Sequence, residues 1–499
     1  MGRAAAAFFA LWVGSGCNLV LGIEELSNEN SGGSPSAGGG GAGANGGGGA
    51  GANGGATATG GGGAEAGGGG MGGDGGMGGG CVQGDLPEVL AAAGSGSSGF
   101  DVGMDIAATA GRAAVVGQLG ANTTLFGSPL TGGGVYVVSV DELGATQFGV
   151  SLVGSSDPVV AATAGQTFVA ASYGTASPES TGAMPTGVLV RGFNLTGAEL
   201  DTYLYQAPVG ASVEVHGIAV NASGDVAVVG AFRGTVTFDG APHTSLGLGR
   251  NVYVAVYDSG GERWLKTFGS SATTDAVANA VAFDSTGRVV VTGRQEGGLD
   301  LGGGEVAGSG MFVVRLEPDD GAHASAAPVV PNAGGRSIAG ASAGRLVVAG
   351  FTSDAAAMIG SNPVPPETGF VFGLGAANAV TFVRPLAGLE KAAPIDVDVA
   401  SDTVVVGGSF PGAITFGGEA FSSAGQLDLI IGAFELGVPV DQWLWAESYG
   451  GGTGDVLGAI SAGGAQLVAT GSYDGSWCFG GALLPQSSGQ DVFVAGLEL

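Results

Sequence analysis

The chain has 499 residues, of which 106 are glycine, about one in five where soluble proteins average about 7%. Only 11% are charged, acidic residues outnumber basic ones 43 to 14, and the net charge is −29. A nucleic-acid binder needs a basic stripe against phosphate, and a collagen needs glycine at every third position with abundant proline; neither pattern is present. Glycine and β-branched residues at this level also argue against a long helical bundle. What remains is a β-rich, turn-rich exported protein with a glycine-rich insert.

In chain order, the first element is Met1 to Cys17. Arg3 supplies a positive start, Ala4 to Val13 is an apolar run of ten, and Gly14, Ser15 and Gly16 lead to Cys17. The run suits an export signal and is too short to span a bilayer, which takes about 20 apolar residues. The segment resembles the signal and lipobox of bacterial lipoproteins, with Gly14 standing where that family prefers an aliphatic residue. The resemblance implies lipidation at Cys17, export, and anchoring to the cell envelope, in particular the outer membrane of a Gram-negative bacterium. The alternative is a simple secretory signal with an incidental cysteine.

Residues 18–80 form a tether. Between Ser31 and Gly80, glycine fills 29 of 50 positions. Such a stretch buries too little apolar surface to offset chain entropy and is expected to be disordered. At roughly 5–6 Å × √n, the residues from Cys17 to Leu86 reach about 45 Å on average.

From Cys81 onward the chain repeats. A short turn between two apolar runs recurs at Gly111, Gly165, Gly224, Gly287, Gly344, Asp402 and Gly464, spaced about 54 to 63 residues apart. Each is followed by a β-branched run such as Val226-Ala227-Val228-Val229 or Val404-Val405-Val406. A second apolar run comes later, as in Asn251 to Val256, Asp428 to Phe434 and Asp491 to Leu497. Between these two runs sits a Phe-Gly element, at Val236 to Gly240, Ile414 to Gly418 and Cys478 to Gly481. An aromatic strand ends the unit, as in Trp264 to Gly269 and Trp445 to Gly450. Short apolar runs bounded by glycine turns read as strands. Four strand signals in each of seven units predict an all-β, seven-bladed β-propeller of four-stranded antiparallel blades over 81–499. A period of about 59 residues is too short for tandem sandwich domains, which need about 100 each.

The seventh unit ends at Leu499 without its aromatic strand. Val89 to Gly94 aligns with Trp264 to Gly269, so the strand over 87–93 is predicted to complete blade seven. Cys81 lies just before that strand and Cys478 within blade seven. A Cys81–Cys478 disulfide would staple the ring, contributing at most about 6 kcal/mol in the chain-entropy model; two separate thiols are the alternative.

The units resemble SBBP-type β-propeller repeats of bacterial exported proteins, from about Pro87 to Leu499. The pattern is best kept in units three, six and seven. Unit two lacks the Phe-Gly element, and unit five has Asn362-Pro363-Val364-Pro365-Pro366 in its place. The resemblance implies a propeller and an exported location and brings no catalytic residues.

The motifs for chemistry are weak. Gly340 to Gly344 matches G-x-S-x-G around Ser342, but it reads as a hairpin turn followed by a strand, where a nucleophile elbow needs a helix. Gly94 to Gly99 matches G-x-G-x-x-G without a following helix. The histidines are His216 on an inner strand and His243 and His323 in loops, none paired at metal-ligand spacing. Asp396, Asp398 and Asp402 invite a calcium reading but lack the spacing of a 12-residue loop. Asp428 and Asp491 read as turn residues capping backbone N–H groups. Only His216, Asp105, Arg336 and Asp396 offer channel-facing chemistry, from four different units. The reading is a non-catalytic, monomeric, lipid-anchored binding or scaffold module for a protein or glycan. It has no catalytic residues, cofactor, metal or nucleic-acid partner. A hydrolase or lyase at the channel mouth is the alternative.

Overall fold

The computed structural model describes residues 87–141, 144–153, 155–173, 186–247, 249–439, 442–487 and 489–499, all within a single structural unit. The signal, the tether and Cys81 lie outside the described residues. The fold is all-β, with seven four-stranded antiparallel blades in a ring. Among the described residues, no helix is long and apolar enough to cross a membrane.

Each blade meanders outward from the channel. The seven innermost strands are Val102–Thr109, Ser155–Ala162, Ser212–Val220, Thr273–Phe283, Ala333–Gly340, Ile395–Ala400 and Val456–Gly463. The second and third strands of each blade are nearly continuous apolar runs, because neighbouring blades cover both of their faces. Blade seven takes three strands from the C-terminal end of the chain. Its fourth and outermost strand is Val89–Ser95, paired antiparallel with Gln490–Glu498. The strand lies two residues later than the span read from the sequence.

The bend between the second and third strands of a blade is a small hairpin. It is seen in blades one, three, four, five, six and seven. Unit five keeps it despite its prolines, pairing Asn362–Val364 with Ala357–Ile359. The corresponding stretch of unit two, 174–185, lies outside the described residues. These hairpins wedge between adjacent outer strands. In blade three, Thr237 of the hairpin pairs with Gln206 on the outer strand of blade two. In blade seven, Phe479 stacks on Tyr449 of blade six, with ring centroids 4.1 Å apart.

The glycine in the second strand of five blades has a steric cause. Gly117, Gly230, Gly293, Gly350 and Gly471 pair across the sheet with Tyr136, Tyr253, Phe312, Phe370 and Phe493. A Cβ at any of these glycines would meet an inner-strand carbonyl oxygen at 1.9 to 2.2 Å and an aromatic ring at 2.7 to 3.0 Å. The close approach accompanies a bulge in the innermost strand opposite, present in all five of these blades. Blade six has no such bulge, and its Gly408 faces Ile430.

Arginines staple blade to blade. Arg112 Nη2 donates to the Thr163 and Gln166 carbonyls of blade two at 2.7 and 2.8 Å. Arg384 donates to the Pro439 and Gln442 carbonyls at the edge of blade six and lies over the Phe434 ring, 4.0 Å from its centroid. Arg315 of blade four is buried with Asp284, 2.8 Å away, and reaches Gly375 and Asn378 of blade five. A buried pair that loses one partner leaves an uncompensated charge. Arg315→Met is therefore expected to cost about 3–5 kcal/mol, measured by urea denaturation; a change below about 1 kcal/mol would show that the pair is not buried in solution.

Ring closure has its own test. A chain beginning at Gly96 lacks the strand that pairs with Gln490–Glu498, so it is expected to lose single-transition cooperative unfolding by calorimetry. Melting indistinguishable from that of the longer chain would mean the strand is dispensable.

Candidate functional site

A cavity of about 650 Å³ runs along the axis, lined by residues from the innermost strands of all seven blades. Each innermost strand has one edge unpaired within its own sheet, and its buried N–H and C=O groups need partners. The preceding blade supplies them. Asp105 of blade one accepts from Val160 N–H at 2.8 Å, and Ser172 of blade two from Val215 N–H at 3.3 Å. Asn279 of blade four donates to the Gly335 carbonyl at 2.7 Å. Ser337 of blade five accepts from Val397 N–H at 3.2 Å. In blade six, Asp396 accepts from Ile460 N–H at 2.9 Å and Asp398 from Ala462 N–H at 2.8 Å. Ser461 closes the circle, accepting from Ala108 N–H of blade one at 3.1 Å.

The junction of blades three and four breaks the pattern. There the channel residue is His216, 3% exposed, and neither ring nitrogen makes a hydrogen bond. Glu214 Oε2 lies 3.5 Å from its Nε2, at the long limit for such a contact. Nearby, Arg250 forks onto Asp275 with two bonds of 2.9 Å and reaches Glu214 at 3.0 Å. Arg294 adds a contact to Asp275 at 2.8 Å and one to Glu296 at 2.8 Å. The paired guanidiniums hold the Asp275 carboxyl below its ordinary range against the cost of burial, and His216 with Arg250 does the same for Glu214.

The structure brings Asp105, His216, Arg336 and Asp396 to one cavity. Sequence reasoning missed Asn279, Ser337 and the Glu214–Arg250–Asp275–Arg294 network. One signal was available: His216, Asn279 and Arg336 each stand eight residues before a turn glycine, Gly224, Gly287 and Gly344. All three are the extra residue of an inner-strand bulge, which turns a side chain out of its usual alternation.

The other motifs settle into structural roles. Ser342 donates to Asp402 at 2.8 Å and accepts from Arg345 at 2.6 Å, with no imidazole among its partners, and strand Leu346–Thr352 comes next. In the Gly94–Gly99 stretch, the buried Asp101 carboxylate accepts from Ser97 N–H, and at 2.9 Å from Gly120 N–H. Asp396 and Asp398 are engaged by backbone N–H and serine hydroxyls, and Asp402 by Arg345 at 2.7 Å. Among the described residues, no group of His, Cys, Asp and Glu is arranged to hold a metal ion. Two histidine placements differ from expectation: His243 lies in strand Ala241–Thr244 and His323 opens strand His323–Ala326. Asp428 caps Ala424 N–H at 2.8 Å as expected. Asp491 does not cap: its Oδ1 has no partner, and Asp101 and Asp474 stand near it. Cys478 is disulfide-bonded, its partner lying outside the described residues.

No family model matches the chain, and no curated protein does. Solved structures similar to it include the polysaccharide lyase Uly1, at 8% identity and a TM-score of 0.43, covering 80% of this chain and 90% of that one. A protein of unknown function from Bacteroides caccae matches at 12% identity and TM-score 0.34, over 68% and 94% of the two chains. Trypanosoma rangeli sialidase matches at 10% identity and TM-score 0.35, over 70% and 56%. These likenesses carry no argument about activity.

Several acids titrate high. Burial pushes Asp105 up to about 8, with Asp396 and Asp398 adding repulsion. Burial likewise pushes Asp455 up to about 7, and Asp396 and Asp491 up to about 6. A folded-state value above the unfolded one means the fold holds the extra proton. That stability is present in acid and is lost as pH rises through the folded value. The protein is therefore expected to melt higher at pH 5 than at pH 9. Asp105→Asn removes one such group, so its melting temperature relative to the parent is expected to rise between those pH values. A difference independent of pH, by differential scanning fluorimetry, would contradict the assignment.

Proposed function

We propose that this propeller is a non-catalytic binding or scaffold module, exported, held at the cell envelope by a lipid on Cys17, and presenting its faces to a protein or glycan partner. The observation that carries the reading is the use made of the channel's polar groups. Asp105, Asp396, Asp398, Ser337 and Asn279 each bond the backbone edge of the next blade. Ser342 has no imidazole among its hydrogen-bond partners, and the carboxylate it donates to, Asp402, is paired with Arg345 at 2.7 Å. A catalytic site needs a nucleophile, a base and an orienting group within hydrogen-bond reach, and these five channel residues are engaged in holding blades together. Cys81 is the partner we assign to Cys478, which would tie the root of the closing strand to the blade it completes. The acidic surface suits a soluble monomer.

The hydrolase or lyase alternative has one observation in its favour, the His216–Glu214–Arg250 contact set. Both parts are tested together. Cys17→Ala is expected to move the protein from the membrane to the soluble fraction of cells that express it; unchanged partitioning would rule out the lipid anchor. Incubation with uronate and sialylated polysaccharides is expected to release no product. Time-dependent product that disappears in His216→Ala would replace the binding module with an enzyme.

A further inference from the structure

The seam of the ring, where the closing strand Val89–Ser95 leads into blade one, is packed on two acids. Asp491, near the start of strand Gln490–Glu498, is 7% exposed, and Asp101 is fully buried. Both reach the same glycine. A Cβ on Gly96 would collide with Asp491 Oδ1 and lie 2.9 Å from Asp101 Oδ2, so the two oxygens crowd one point. The main chain ties the segments together there, Asp101 N–H donating to the Gln490 carbonyl at 2.9 Å. Asp101 accepts N–H bonds from Ser97 and Gly120, one on each oxygen. Asp491 Oδ1 is buried without a partner. The other titratable groups that face Asp491 are Asp474 and Tyr473, both on the second strand of blade seven, and neither is a cation. The same register position has other duties elsewhere. Asn251, Asp428 and Asp491 each precede a residue paired with the end of an outer strand, Phe268, Tyr449 and Ser95 in turn. Asn251 donates to the Phe268 carbonyl at 3.3 Å, and Asp428 accepts from Ala424 N–H at 2.8 Å. In blade seven the position meets a second carboxylate instead.

We propose that Asp491 and Asp101 form a proton-dependent clasp: with a proton on Asp491 the seam is closed, and without it the two acids repel and the closing strand loosens. Carboxylates crowded together out of water repel, so one of them retains a proton. A protonated Asp491 also has an O–H to donate, where the ionised form has acceptors only. Burial, with Asp101 and Asp474 adding repulsion, pushes Asp491 up to about 6. Stability held by a raised acid is present in acid and lost as pH rises through the folded value, so the clasp opens between mildly acidic and neutral pH. Asp455 of the same blade is also raised, but its oxygens accept N–H bonds from Gly451 and Asp474, not from the closing segment. The loosening is local, because the other outer strands carry no such pair of acids among the described contacts. The clasp acts on the strand and on no ligand, so it does not rest on the proposed binding function.

Hydrogen–deuterium exchange of the full chain by mass spectrometry, corrected for the intrinsic effect of pH, reads the strand directly. Protection of Val89–Ser95 is expected to fall about tenfold or more from pH 5.0 to pH 7.5. Gly261–Phe268, the outer strand of blade three, is expected to change by less than about threefold, since Asn251 holds the matching place there. Asp491→Asn installs the blade-three residue and is expected to abolish the fall, keeping protection at pH 7.5 near the parent's value at pH 5.0. Glu419→Gln, an exposed acid on blade six, is expected to leave the fall unchanged. Asp101→Asn serves if Asp491→Asn does not fold, as judged by its melting transition. Constant protection of Val89–Ser95 in the parent would overturn the clasp. So would a fall of equal size in blade three, which marks a general loss of stability. A fall that persists in the folded variant would assign the effect to another acid and overturn the role of Asp491.

Discussion

The innermost strand of every blade has one edge that pairs with nothing in its own sheet, and a ring of seven such edges must be satisfied without closing the channel. Side chains from the preceding blade do this at six of the seven junctions, through Asp105, Ser172, Asn279, Ser337, Asp396 with Asp398, and Ser461. Because each bond crosses a junction, every blade is held in register by its neighbour. At the remaining junction the link moves outward, to Arg250 on Asp275 and a main-chain bond from Ala276 N–H to the Arg250 carbonyl. That displacement leaves His216 at the axis with neither ring nitrogen hydrogen-bonded. The candidate site is thus the place where the structural rule lapses.

A second constraint sets the repeat itself. The bulge that turns residues such as His216 out of alternation brings an inner-strand carbonyl against the second strand. Only glycine fits there in five blades, and the space left above it takes the ring of Tyr136, Tyr253, Phe312, Phe370 or Phe493. Turn, β-branched run, glycine and aromatic belong to one mechanical unit. Blade six, which lacks the bulge, behaves differently: its aspartates keep regular alternation, so Asp396 and Asp398 share one side of the strand and both reach blade seven.

The blade count, strand order and closing strand were legible because they rest on period, turn chemistry and apolar runs, all written locally. Unit five was harder to read, since Asn362–Val364 carries no Phe-Gly signature, yet its hairpin pairs as the others do. The site was half legible. His216, Asp105, Arg336 and Asp396 were visible as polar residues on inner strands, but that they line one cavity depends on the ring. Arg250 and Arg294 were invisible because they lie outside any innermost strand. Asp491 resembles Asp428 in its unit, but Asp428 caps Ala424 while Asp491 faces Asp101; identical positions acquire different duties from what stands opposite.

The charge balance also has a spatial meaning. With 14 basic residues against 43 acidic ones, most of the described arginines are committed, Arg112 and Arg384 to carbonyls, Arg250, Arg263, Arg294, Arg315 and Arg345 to carboxylates. None of these contacts reaches Asp105, Asp396 or Asp398. A surface acid in excess is hydrated and screened at little cost. Asp396 and Asp398 are relieved by N–H groups and serine hydroxyls, whereas the bonds to Asp105 come from N–H groups, and burial raises Asp105 furthest, to about 8. The fold tolerates that cost because the same carboxylates terminate unpaired strand edges. The first duty of these groups is therefore to hold the ring together.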